Sequence, residues 1–212
     1  MSSNVAGAQL VLVMDHYEGS LDRWARAGQG LYSQYQKQIA EDTEKALTYV
    51  HNQGYIHLDI KPQNILVRER NGKVNVAVAD FGLAREIASL GGINPHDLRC
   101  GTTPYNGYPD NIYSKYVDLW SLGLLVAYMV GSFGRDDEIS THELIEFEKN
   151  LKENYYRVTS REWNPLQLIE YVAHELGLPQ ATVDDTKRHL IRCLNPNPES
   201  RVFPKLEPCH LN

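Results

Sequence analysis

Tyr55-Ile56-His57-Leu58-Asp59-Ile60-Lys61-Pro62-Gln63-Asn64-Ile65-Leu66-Val67 is the stretch that decides how the rest of the chain is read. A helical pattern runs into Gly54, polar residues interrupt it, and residues 65–67 form a short apolar run, so a helix hands over to a strand through a loop. The loop carries an acceptor, Asp59, a point cation, Lys61, and an amide, Asn64. These residue types can orient a hydroxyl, neutralise a phosphate and hold a hard divalent cation through oxygen. Alone, that spacing is weak evidence. A second carboxylate, in Asp80-Phe81-Gly82, follows another strand-like run, Val74-Asn75-Val76-Ala77-Val78-Ala79. Asn71-Gly72 between the two runs predicts a tight hairpin, which brings Asp80 back to the end of the sheet where the loop lies.

On the N-terminal side, Leu31, Tyr35, Ile39, Leu47 and Val50 recur at helical spacing, which predicts an amphipathic helix over residues 31–52 that Gly54 ends. Leu10-Val11-Leu12-Val13-Met14 reads as a buried strand, followed by a turn through Asp15-His16-Tyr17-Glu18-Gly19-Ser20-Leu21. Residues 1–7 are small and polar, and are expected to be disordered. On the C-terminal side, residues 80–110 are rich in Gly, Pro and Asn without periodicity, the mark of a functional or mobile segment. Asp118-Leu119-Trp120-Ser121-Leu122-Gly123 opens an apolar helix; residues 119–130 span about 12 positions, short of the ~20 that cross a bilayer, so a buried core helix is expected. Further helices are predicted over 139–154, over 164–177 from Asn164-Pro165, and over 183–194 before Asn195-Pro196-Asn197-Pro198.

With 212 residues, 42% of them hydrophobic and 23% charged, the chain can bury the core of one globular domain. A formal net charge of -6 without a Lys/Arg block argues against nucleic acid or an anionic membrane as partner. The three cysteines, Cys100, Cys193 and Cys209, are odd in number and lack C-x-x-C spacing, so neither a zinc site nor a disulfide framework is expected. That usage and the absence of a secretory pattern predict an intracellular protein, cytoplasmic or nuclear.

The loop and the Asp80-Phe81-Gly82 segment resemble the catalytic loop and metal-binding segment of the eukaryotic protein kinases, and Lys61 with Thr102 resembles the serine/threonine branch. The resemblance covers roughly residues 10–201. It implies an α+β, mainly helical fold: a protein-kinase-like C-terminal lobe with a small β-hairpin and most of the N-terminal lobe absent. Residues 8–202 would form the catalytic region, between the disordered N-terminus and a tail at 203–212. The implied activity is transfer of the ATP γ-phosphate to Ser or Thr hydroxyls of a protein substrate, with Mg2+. Asp59 would orient the hydroxyl and accept its proton, Lys61 would stabilise the transferred group, and Asn64 with Asp80 would hold the metal. Met14, Asp15, His16, Tyr17 and Leu66, together with Asp80, would contact the cofactor. Gly101, Thr102 and Tyr105 fall in the implied substrate loop. His57 would pack on Phe81 beside Gly82, Asp118 would hold the loop backbone, and Arg201 would pair with Asp110.

Two departures from the family pattern stand out. Leu58 replaces an Arg that in many relatives pairs with a phosphate on the activation segment, so phosphorylation within residues 80–110 is not expected to switch this domain on. No G-x-G-x-x-G occurs, and the only lysines before the loop are Lys37 and Lys45, in the predicted helix. The nucleotide site encoded here is therefore incomplete, and low intrinsic activity is expected. Two readings follow: a truncated kinase, or a stand-alone lobe that binds another protein, such as a second kinase or a partner supplying the other lobe.

Overall fold

The computed structural model describes residues 13–26, 33–88, 101–102, 105, 115–133, 193 and 198–202. In chain order these contain β1 (Gly19–Ser20), α1 (Leu21–Arg26), α2 (Ser33–Asn52), β2 (Tyr55–Ile56), β3 (Ile65–Arg70), β4 (Lys73–Val78), β5 (Arg85–Glu86) and α3 (Lys115–Phe133). Single 3-10 turns lie at Pro62–Asn64, Phe81–Leu83 and Pro198–Ser200. The predicted helices over 139–154, 164–177 and 183–194 lie outside the described residues, apart from helical Cys193.

The amphipathic pattern of α2 buries Ile39, Ala40, Thr43 and Leu47 along one face and leaves Lys45 and Tyr49 in solvent. The Thr43 hydroxyl would be an orphan on the buried side, and it donates back to the Ile39 carbonyl at 2.7 Å. Gly54 ends the helix as expected: it takes φ +83°, and its N–H donates to the His51 carbonyl. By contrast, α3 is buried at every position from 117 to 126, polar ones included. A helix apolar on all sides belongs inside the molecule, and α3 packs chiefly against α2, which in turn packs on β4.

β3 and β4 form the predicted hairpin, paired from Ile65↔Val78 to Arg70↔Lys73, with both turn residues left-handed, Asn71 at φ 55° and Gly72 at φ 70°. These are the torsions of the type I′ turn that matches the twist of a two-residue hairpin. β1 adds to the other side of β3 through Gly19↔Val67 and Ser20↔Leu66, giving the order β1-β3-β4. Ile65 and Val67 face the core, whereas Leu66 and Arg68 lie on the half-buried opposite face. Gln38 of α2 closes the packing on the hairpin, donating to the Val74 carbonyl at 2.7 Å.

Three expectations change. Of the strand expected over residues 10–14, residues 10–12 lie outside the described residues, and Val13 and Met14 have irregular backbone and are 89% and 60% exposed. Apolar, β-branched residues need a pairing strand to become one, and none of the described strands reaches them. The turn after them leads at Leu21 into a helix, α1, that was not expected from the sequence. Its signals are Ser20, whose hydroxyl accepts from the Arg23 N–H at 3.3 Å, and Leu21 and Trp24, buried three residues apart. The two-residue sheet β2-β5 was also missed; such short pairings leave no periodic trace.

Candidate active site

α2, the β3-β4 hairpin and α3 converge on the loop between β2 and β3. Asp118, wholly buried in the first turn of α3, accepts from the backbone N–H of His57 at 2.8 Å and of Leu58 at 2.9 Å. The same carboxylate meets the His51 Nε2 at 2.8 Å, at the end of α2. Buried amides need acceptors, and a carboxylate that receives several charge-assisted bonds is a rigid anchor. It holds Leu58 at φ 68°, a left-handed conformation that costs a branched residue free energy. The Leu58 side chain packs into an apolar cluster with Ile56 and Val117, against Leu83.

That bend sets Asp59 into a closed set of bonds. Thr102 Oγ1 donates to Asp59 Oδ1 at 2.7 Å and accepts from Lys61 Nζ at 2.7 Å. Lys61 Nζ also lies 2.8 Å from Asp59 Oδ2, and Asn64 Nδ2 donates to the Asp59 carbonyl at 2.8 Å and to Oδ2 at 3.0 Å. Burial pushes the Asp59 carboxyl up, but the bonds from Lys61 and Thr102, the Lys61 charge and the bond from Asn64 outweigh it and hold the group below its ordinary value. A hydroxyl thus sits between a carboxylate and an ammonium.

Asn64 is buried, and with its nitrogen engaged on Asp59 its amide turns the oxygen away from that carboxylate. The backbone carbonyl of Asn64 accepts from the Ala79 N–H at 2.9 Å, so the residue before Asp80 is seated against it. Asp80 is exposed at φ 62°, with Oδ1 accepting from the Gly82 N–H at 3.3 Å. One amide oxygen and one carboxylate suit a hard cation that takes its remaining ligands from water and phosphate. Among the described residues no group of three or more His, Cys, Asp or Glu could hold a metal by itself. His57 stacks edge-on against Phe81 with centroids 4.8 Å apart, and its Nε2 lies 3.0 Å from the Ala79 carbonyl.

The other sequence candidates divide. The His16 carbonyl and the half-buried Tyr17 ring both meet Arg68 of β3, two residues beyond half-buried Leu66, whereas Met14, Asp15 and the His16 residue as a whole are exposed. Gly101 is half-buried at φ 94°, and Tyr105 is buried with its carbonyl accepting from the Ser121 hydroxyl. Arg201 is buried, donates to the Tyr116 carbonyl at 3.2 Å and lies 5.1 Å over the Trp120 ring. Asp110 lies outside the described residues, and so does its expected pairing with Arg201. His51 and Arg68 were not among the sequence candidates. Their partners are 67 and 52 positions away, and no local spacing points to them.

The sequence matches the family model for the protein kinase domain over residues 2–206. It is 29% identical over 199 residues to calcium/calmodulin-dependent protein kinase cmkB of Emericella nidulans, covering 91% of this chain and 44% of that protein. Extracellular signal-regulated kinase 2 of Dictyostelium discoideum is 36% identical over 132 residues, 58% of this chain and 34% of that one. Sperm motility kinase 2B of Mus musculus is 32% identical over 143 residues, 65% of this chain and 28% of that one. The chain therefore spans less than half the length of these curated relatives. A crystal structure of the Rad53 kinase domain and SCD2 in complex with AMPPNP superposes with a TM-score of 0.51 at 22% identity, over 88% of this chain and 61% of that one, which shows a shared fold. A family match that takes in nearly the whole chain, on a fold shared with a solved kinase domain, means that this protein belongs to the protein kinase domain family.

Proposed function

We propose that residues 8–202 are the catalytic region of a serine/threonine protein kinase that moves the γ-phosphoryl group of ATP to a hydroxyl of a protein substrate. The observation that carries this reading is the Thr102 hydroxyl, 2.7 Å from both the Asp59 carboxylate and the Lys61 ammonium. It marks a position where an alcohol is held between a proton acceptor and a cation. In the reaction, Asp59 orients the substrate hydroxyl and receives its proton as the oxygen-phosphorus bond forms. The bond from the γ-phosphorus to the bridging oxygen breaks, and ADP departs with that electron pair. Lys61 offsets charge on the group in transit. Asn64 and Asp80 would hold Mg2+, which when bound neutralises the phosphate oxygens. Asp118 keeps the loop bent so that Asp59 is presented at a fixed height, and His57 on Phe81 ties the loop to the Asp80 turn. Leu58, seated among Ile56, Val117 and Leu83, has no cation to offer a phosphate, which supports control other than by phosphorylation of residues 80–110. We place the protein inside the cell, where ATP and protein substrates are found.

The test is transfer of radiolabelled phosphate from ATP to myelin basic protein, with nucleotide binding followed by calorimetry. Asp59→Asn is expected to lower the rate by about 100-fold or more, and Asp80→Ala to abolish the transfer that Mg2+ supports. A second reading is a weakly active or inactive kinase-like module that binds another protein. Exposed Val13 and Met14, an apolar pair open to a protein partner, favour it. Absence of nucleotide binding, with tight capture of a partner kinase, would decide for the module.

A further inference from the structure

Arg68 stands on β3 two residues beyond Leu66, on the face turned away from buried Ile65 and Val67. Its Nη1 donates to the His16 carbonyl at 3.3 Å, and its guanidinium carbon lies 5.0 Å from the centroid of the Tyr17 ring. The Nε is buried without a hydrogen-bond acceptor among the described residues, so the head group is oriented by the ring and the carbonyl at the expense of the Nε–H. The segment it grips needs such a hold. Residues 13–17 have no regular structure, and β1, which follows, pairs with β3 through two residues only, the first of them Gly19. A two-residue pairing next to a glycine is a pivot, and without a second point of attachment the segment would swing about it.

We propose that Arg68 is a positioning residue that latches residues 16–17 onto β3 and so fixes the backbone of this segment relative to Leu66. Under the nucleotide reading of the preceding subsection, on which the ligand assignment rests, the latch sets the width of the base-binding end of the cleft. The chemistry explains why the residue is Arg. A planar guanidinium can lie on an aromatic face and present an N–H in its own plane to a carbonyl at the same time, whereas a lysine ammonium makes one contact or the other. The latch touches neither the transferred phosphoryl group nor Asp59, so it acts on binding and leaves the chemical step alone.

Amide hydrogen exchange of the nucleotide-free chain tests the latch, and titration with the fluorescent nucleotide mant-ADP tests its consequence. Arg68→Met keeps the aliphatic stem, and is expected to quicken exchange over residues 16–20 by about fivefold to tenfold while exchange in α3 stays at the wild-type rate. The Kd for mant-ADP should rise by about the same factor. Arg68→Lys should restore less than half of the effect, and Tyr17→Leu should reproduce part of it. Unchanged exchange over residues 16–20 in Arg68→Met would overturn the latch. Quickened exchange with a wild-type Kd would overturn the positioning role. Failure of the wild-type chain to bind mant-ADP overturns the nucleotide reading, and the positioning role with it, while the exchange rates still decide the latch on their own.

Discussion

Leu58 is held at φ 68°, where a side chain with a Cβ crowds its own carbonyl, yet the residue is 2% exposed and packed on Ile56 and Val117. Packing and backbone strain therefore oppose each other at one position. Truncation to Ala loses the packing and keeps the strain, with an expected cost of about 2–5 kcal/mol. Truncation to Gly loses the same packing but relieves the ~1–2 kcal/mol of left-handed crowding, against ~0.5–1 kcal/mol of extra chain entropy. Leu58→Gly should thus be at least as stable as Leu58→Ala in urea denaturation, the reverse of the order at an ordinary helical or extended site. A Gly variant clearly less stable than the Ala variant would show that the bend relaxes when the side chain is removed. Asp59 provides a second test. Its carboxyl is held below the ordinary value of 3.8 because the bonds from Lys61 and Thr102 outweigh the effect of burial. With the lower value in the folded state, ionised Asp59 adds stability above the unfolded value, and that stability is lost as the pH falls through the folded one. Melting temperatures taken from about pH 6 down to about pH 3 should fall less steeply for Asp59→Asn than for the wild type. Parallel curves would contradict the assigned bonds.

Among the elements, α3 supplies one side chain to which three groups from two other elements are tied. Asp118 joins the end of α2 through His51 and the loop through His57 and Leu58, so helix-helix packing and the loop bend share a single acceptor. Asp118→Asn replaces one of its oxygens by a donor that must face a backbone N–H or His51 in a dry setting. The expected loss is about 2–4 kcal/mol, read as a shift of the denaturation midpoint. Loss of phosphoryl transfer should accompany it even where the variant remains folded, because the bend that presents Asp59 is no longer held. A variant folded, stable and fully active would remove Asp118 from this role. α2 and the hairpin were legible in the sequence because their signals are local. Ile39 and Leu47 recur at the period of a helix, and Asn71-Gly72 is among the few residue pairs that take both left-handed torsions without difficulty. α1 is six residues long, too short for a sustained period, and only its Ser20 cap and the single Leu21/Trp24 pair could have announced it.

For the molecule as a whole, the distribution of exposed apolar surface is informative. The core runs through α2, α3 and the inner face of the hairpin, while Val13 and Met14 stand in solvent. Val13→Lys and Met14→Lys should each change folding stability by less than about 0.5 kcal/mol, while light scattering at high concentration falls as an exposed apolar patch is removed. A large drop in melting temperature would place these side chains in a packed environment instead. No helix among the described residues is long and apolar enough to cross a membrane. Cys193 is buried with its thiol pushed up to about 12 by burial, so it is protected from ionisation and has no part in the chemistry proposed here.

The sequence by itself determined the inventory and the family: a carboxylate, a cation and an amide at fixed spacing, a second carboxylate returned by a hairpin, and an apolar helix that opens with Asp118. Each rests on residues close along the chain, where composition and period translate directly into backbone form. What only the tertiary structure decided is which groups meet. Thr102 reaches Asp59 across 43 positions, His51 reaches Asp118 across 67, and Arg68 reaches His16 across 52. Such contacts form because burial forces distant polar groups to satisfy one another once the core has closed, and no pattern within either segment encodes its partner.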